Sequence, residues 1–129
     1  MKPITVEWVN KAEGDFVMVE RESRARKNPS YDGICFHAQQ CAEKYLKARL
    51  CDAGIEFKKI HDLEVLLDQV LEREPAWELY REDLAFLSEL AVRFRYPGEM
   101  AEKEKAKDAR RRCRIFRQAA RTGLGLKSI

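Results

Sequence analysis

Apolar positions fall into helical rows along almost the whole chain. Between Tyr31 and Gly54, Ile34, Ala38, Cys41, Tyr45 and Ala48 recur at steps of four, three, four and three, and Cys35, Ala42, Leu46 and Leu50 make a second row beside them. A helix apolar over that much of its circumference is expected at the centre of a bundle. A polar strip of Gln39, Gln40, Glu43, Lys44 and Lys47 lies between the rows, with Glu43 and Lys47 an i,i+4 pair in the favourable order.

The flanking segments carry the same period. Thr5 is the expected N-cap of a first helix running to about Lys27, with Trp8, Ala12, Phe16 and Val19 on one face. Gly14 weakens that helix without ending it, and its basic end, RESRARK, suits a helix C-terminus. Asn28, Pro29 and Ser30 break the helix and turn the chain into the inner one. After Gly54, the loop IEFKKIH leads to Asp62, the expected N-cap of a third helix carrying Leu63, Leu66, Leu67, Val70 and Leu71. Pro75 either ends that helix or starts the next. Trp77, Tyr80, Leu84, Leu87, Ala91 and Phe94 then predict a fourth helix in a bundle seam, stopped by Pro97 and Gly98. A fifth helix is expected from about Ala101 to Thr122, with Ala109, Cys113, Phe116 and Ala120 facing inward. The connections are short, so neighbouring helices should pack antiparallel. The expected fold is all-α, an up-and-down four-helix bundle with an additional C-terminal helix, in one domain over residues 1–129.

Composition narrows the class. Charged residues make up 36% and apolar ones 45%, with only six Gly and four Pro, which favours a helical protein over a disordered or β-sandwich one. No apolar run approaches a membrane span and MKPITVEWVN lacks the apolar core of a signal peptide, so a soluble, cytoplasmic protein is expected. Cys35, Cys41, Cys51 and Cys113 have no metal-ligand spacing and read as buried free thiols; neither zinc nor a cofactor is expected.

The net charge of +3 is unevenly spread. Residues 101–129 hold ten Lys or Arg against three Asp or Glu, a basic arm on an otherwise acidic body. Arg110, Arg114, Arg117 and Arg121 recur at steps of four, three and four, and Arg111 and Arg112 widen the stripe. Such a stripe is either the footprint of a phosphate-bearing ligand or a solvated face. Its aromatic neighbours are spaced for a core, which argues against a stacking surface for single strands.

The run FHAQQCAEKYLKA resembles the second-helix signature of the HEPN domain family, through Phe36, Ala38, Gln39, Gln40, Cys41, Ala42, Glu43, Lys44, Leu46, Lys47 and Ala48. His61, Asp62 and Leu63, and then Arg95, Tyr96, Pro97 and Gly98, match further motifs of that family in its order. The resemblance spans nearly the whole chain. It implies a helical bundle, a homodimer, and work beside a separate minimal nucleotidyltransferase in a toxin–antitoxin-like or substrate-presenting pair. Phe86, Leu90 and Cys35 lie off the main seams and call for cover, which agrees with a dimer.

Nuclease members of the wider superfamily carry an Arg followed, after four to six residues, by a His that cuts RNA in a dimer groove. Counted from Arg93 those positions are Gly98, Glu99 and Met100, and from Arg95 they are Met100, Ala101 and Glu102, so the His is missing. Metal-free RNA cleavage needs a proton shuttle near neutral pH, for which imidazole is best suited. The two histidines, His37 and His61, both precede these arginines. His37 reads as a satisfied core or interface residue; His61 reads as a local partner at the start of the third helix, unless the fold carries it to Arg95. No catalytic residue is assigned. No Gly-rich phosphate loop, nucleophile elbow or metal motif occurs either.

Arg93, Arg95 and Tyr96 end the fourth helix, where cations also offset its terminal carbonyls. The resemblance tips Arg95 toward function. A bound nucleotide or RNA is expected to use Arg95, Arg93, Tyr96, Gln39, Gln40, Lys47 and His61. Three readings follow: an interaction module paired with a nucleotidyltransferase, a metal-independent ribonuclease with a degenerate motif, and a stand-alone nucleotide-binding protein.

Overall fold

The computed structural model describes residues 1–57 and 59–129. It is all-helical in its regular structure: α1 (Pro3–Arg24), α2 (Tyr31–Asp52), α3 (Leu63–Val70), a 3-10 helix (Pro75–Tyr80), α4 (Arg81–Arg93) and α5 (Lys103–Gly123). Helix α2 packs against each of the other α-helices. Ala38, Cys41, Tyr45, Leu46, Ala48 and Leu50 are fully buried there, so the doubled apolar rows do mark the central helix.

Side-chain pairs give the helix directions. Lys2 reaches the Cys51 carbonyl at one end of α1 and Glu22 accepts the Ser30 N–H at the other, so α1 and α2 are antiparallel. Glu20 meets Arg110 and Glu13 meets Arg117, so α5 runs against α1 and parallel to α2. The C-terminal helix lies along α2 and also touches α1 and α4, forming a wall of the bundle.

Local chemistry explains most boundaries. The Ser30 hydroxyl accepts the Gly33 N–H at 3.0 Å and the Asp62 carboxylate accepts the N–H of Glu64 at 3.0 Å, capping α2 and α3. Beyond α2, Gly54 adopts φ 72°, with Ile55 N–H bonding the Leu50 carbonyl and Gly54 N–H bonding that of Cys51. This is a Schellman stop, which favours a residue without Cβ.

Two expectations need correction. The first helix begins at Pro3, with Lys2 at the N-cap, and Thr5 is fully buried inside it. Proline suits the first turn because its missing N–H would have no helical partner there. The fourth helix is divided: Pro75 opens the 3-10 helix through Tyr80, and α4 proper starts at Arg81. Trp77 still reaches the core, edge-on to Phe116 at 5.3 Å between ring centroids, so the apolar period survived a change of helix type that the period alone does not resolve.

Leu90 and Cys35 are already covered within one chain, at 2% and 0% exposure. Phe86 lies under Arg112 at 4.3 Å and near Lys105 at 5.5 Å. These residues therefore do not call for a second copy. Cys35, Cys41 and Cys113 are buried free thiols, while Cys51 is half-buried. Burial, with Asp32 nearby, pushes the Cys35 thiol up to about 11, disfavouring its reactive thiolate. No helix among the described residues is long and apolar enough to cross a membrane.

Candidate functional site

The polar strip of α2 is mostly buried and bonded to itself. Glu43 is its centre: Oε1 accepts Gln39 Nε2 at 3.1 Å and meets His61 Nδ1 at 3.0 Å, while Oε2 accepts Lys47 Nζ at 3.0 Å. Gln39 Nε2 also donates to the His61 carbonyl at 3.1 Å, and Gln40 Nε2 donates to Gln39 Oε1 at 2.7 Å. The Lys47 ammonium lies 5.5 Å from the Trp8 ring centre and 5.8 Å from that of Phe57. Burial raises the Glu43 carboxyl, but hydrogen bonds from Gln39, Lys47 and His61 and the Lys47 charge outweigh it, and its pKa falls below the usual carboxylate range. The network ties the approach to α3 onto α1 and α2, and only the His61 side chain, 71% exposed, opens widely to solvent.

Arg95 lies elsewhere. It edges a groove of about 270 Å³ lined by Asp32, Gly33 and Phe36 of α2 and by Leu90, Ala91 and Phe94. Phe36 and Lys47 are eleven residues apart on one helix, about 16 Å along its axis. Arg95 and Lys47, both expected at a bound nucleotide or RNA, therefore lie in different parts of the fold. His61 opens instead onto a groove with Asp62, Glu64, Ala85, Ser88, Glu89 and Val92, separate from that of Arg95.

The Arg95 groove is mainly apolar with one charge of each sign at its rim. Asp32 Oδ1 accepts the Ala101 N–H at 2.7 Å, pinning the α4–α5 link over the start of α2. Arg93 is partly engaged, pairing with Glu99 at 3.4 Å and lying 5.3 Å from the Phe94 ring centre. Arg95 closes no ion pair among the described residues. Tyr96 and Met100 stand 63% and 80% exposed, and Phe36 is 41% exposed. Asp32 and the groove-facing role of Phe36 were not foreseen. Their i,i+4 spacing on the polar flank of α2 was visible, but its meeting with α4 was not.

His37 is held by Asp15: Nδ1 meets Oδ1 at 2.7 Å, and Lys44 donates to the other carboxylate oxygen at 2.6 Å. Within the arginine stripe, Arg117 and Arg121 are buried rather than presented to solvent. Arg117 binds Glu13, and Arg121 donates to Tyr45 Oη at 3.1 Å and to the Lys127 carbonyl at 2.7 Å. Arg110 makes two bonds to Glu20, at 3.1 and 2.8 Å. Arg114 is exposed. Packing of α5 turns Arg117 and Arg121 inward and leaves Arg111 and Arg114 exposed, a division the helical period cannot foretell because it does not fix the azimuth of a neighbouring helix. Among the described residues, no group of three or more His, Cys, Asp or Glu is placed to hold a metal ion.

A family model described as HEPN domain matches residues 5–122. No curated protein and no solved structure matches the chain.

Proposed function

The chain belongs to the HEPN domain family, and from that premise we propose that it is an interaction module working with a minimal nucleotidyltransferase, in a toxin–antitoxin-like or substrate-presenting pair. Membership supports a nucleotide- or RNA-related role; the pairing rests on the family resemblance and on the character of the Arg95 groove. In this reading the chain acts as a homodimer and offers that groove to its partner or to a phosphate-bearing ligand.

The observation that carries the reading is the lining of the groove. A free guanidinium stands beside Phe36, Leu90 and Phe94, with exposed Tyr96 following it in the chain, while both imidazoles are bonded to carboxylates elsewhere. An apolar floor with a charged rim suits recognition. Proton shuttling would need a titratable group next to Arg95, and Asp32 there is occupied as an acceptor for the Ala101 amide.

Co-expression with a minimal nucleotidyltransferase, sought first in the neighbouring reading frame, tests the proposal. The expected result is a complex that copurifies with the wild type and weakens in Arg95→Lys, which keeps the charge but loses the planar fork. Thermal unfolding of the same variant separates a binding role from a helix-end role, the latter lowering the melting temperature with binding unchanged. Metal-independent RNA cleavage by the wild type that disappears in Arg95→Ala would replace this reading with the ribonuclease one. Sedimentation showing only monomer at micromolar concentration would remove the homodimer from it.

A further inference from the structure

Small and apolar, the Arg95 groove matches a single side chain better than a nucleotide. Its volume of about 270 Å³ lies below the roughly 300–1,000 Å³ of small-molecule pockets. Phe36, Leu90, Ala91 and Phe94 supply the apolar lining, and because Leu90 and Ala91 are buried the floor is held by the core. A concave apolar floor of that size takes up one large apolar side chain and removes its surface from water.

The rim carries two different polar requirements. Arg95 is the single cation lining the groove and closes no ion pair among the described residues, whereas its neighbour Arg93 pairs with Glu99. Asp32 lines the same groove. Its Oδ1 accepts the Ala101 N–H at 2.7 Å, and its Oδ2 accepts no hydrogen bond among the described residues. A phosphate drawn to Arg95 would meet the Asp32 charge within the same small space. An extended peptide meets no such conflict, because one stretch of chain carries both an acidic side chain for Arg95 and a backbone N–H for Asp32. The residues that flank Arg95 along the chain fit a protein partner as well: Val92, Tyr96 and Met100 are all largely exposed. Tyr and Arg dominate the energetics of protein interfaces, and Met adapts its shape to what covers it.

We infer that this groove docks a short extended segment of a partner protein in which one large apolar residue, Leu, Phe or Trp, stands next to an Asp or Glu. The apolar side chain fills the space over Leu90 and Ala91, its acidic neighbour pairs with Arg95, and a backbone N–H of the segment donates to Asp32 Oδ2. The apolar residue anchors the segment, and the acidic one selects it, since charges at a rim govern specificity more than affinity. The inference rests on the reading of this groove as the partner-binding surface and narrows it, making the occupant a peptide rather than a phosphate-bearing ligand.

Selection of a displayed random-peptide library on the full chain tests the inference. Enriched peptides should carry an apolar residue beside an acidic one, and a labelled synthetic copy should bind saturably by fluorescence anisotropy. Arg95→Glu should reverse the preference, so that the same selection returns Lys or Arg beside the apolar residue, which a purely structural role for Arg95 does not produce. Phe36→Ala should raise Kd for the labelled peptide about tenfold. Circular dichroism melting checks that each variant folds; should Arg95→Glu fail to, Arg95→Ala takes its place and is expected to lose the acidic preference while keeping the apolar one. Absence of a shared motif, or a motif unchanged by the Arg95 variant, overturns the proposal. So does displacement of the labelled peptide by inorganic phosphate or a short single-stranded RNA at lower concentration than by unlabelled peptide. The nucleotidyltransferase reading fails separately: a complex that forms equally well with Arg95→Glu discards it for this groove, while a reversed peptide preference keeps the motif. A complex weakened by Arg95→Glu with no motif selected discards the motif alone.

Discussion

Arg117 of α5 closes on Glu13 of α1 through two parallel hydrogen bonds, Nε to Oε2 at 2.8 Å and Nη2 to Oε1 at 2.7 Å. The same guanidinium lies 4.0 Å from the Phe16 ring centre and donates to the Ile129 carbonyl at 2.6 Å. Tyr45 Oη donates to Glu13 as well, so one carboxylate joins α1, α2 and α5. Arg117→Ala removes the fork and leaves the half-buried carboxylate with only Tyr45 and the more distant Arg121, and should cost about 2–4 kcal/mol in urea unfolding. A loss below about 1 kcal/mol would show that solvent screens the pair.

Acid should destabilise the protein through its buried carboxylates. Burial raises Glu13, but hydrogen bonds from Arg117 and Tyr45 and the charges of Arg117 and Arg121 bring it below its ordinary value; Glu43 is lowered likewise by its own partners. A carboxyl whose folded pKa lies below its unfolded one contributes fully above the unfolded value, about 4.3 for Glu, and loses that contribution as pH falls through the folded value. Unfolding free energy across a pH series should thus hold down to about pH 5 and decline below about pH 4. A rise over that acid interval would contradict the assignment.

Glu43→Ala should be among the costlier single changes. Lys47, at 6% exposure between Trp8 and Phe57, would lose its counter-charge, and Gln39 and His61 would lose an acceptor. A loss of about 3 kcal/mol is expected by chemical denaturation. Glu43→Leu combined with Lys47→Met should recover part of it, because an apolar pair carries no desolvation cost. A double variant less stable than Glu43→Ala would show that the network is worth more than its burial costs.

Ala42→Asp should abolish soluble folding. Ala42 is 1% exposed on the central helix, and an unpaired carboxylate there costs several kcal/mol, comparable to the whole stability of a domain of this size. An unchanged melting temperature in the variant would mean that α2 is not the core.

Much of this molecule is local information. Ile34, Cys41, Tyr45 and their row define α2 because a helix of 3.6 residues per turn stacks them on one side whatever surrounds it. Ser30 and Asp62 cap their helices through bonds only two or three residues long, and Gly54 ends α2 through its own backbone freedom. The family signature was legible for the same reason, being carried by short runs such as FHAQQCAEKYLKA and Arg95-Tyr96-Pro97-Gly98.

The sequence by itself determined the helices, the identity of the central one and the family. Tertiary structure alone decided which charges face water, because that depends on the azimuth at which helices distant in the chain meet. Glu43 and Lys47 are legible in the chain as an i,i+4 pair on a polar strip, but only the fold closes Trp8, Phe57 and the approach to α3 over them. Arg117 and Arg121 read as part of a surface stripe until Glu13, more than a hundred residues away for Arg117, turned them inward. Arg95 was separated from Lys47, and brought instead to Asp32 and Phe36, because α4 runs antiparallel to α2 and delivers its end to the other helix's beginning.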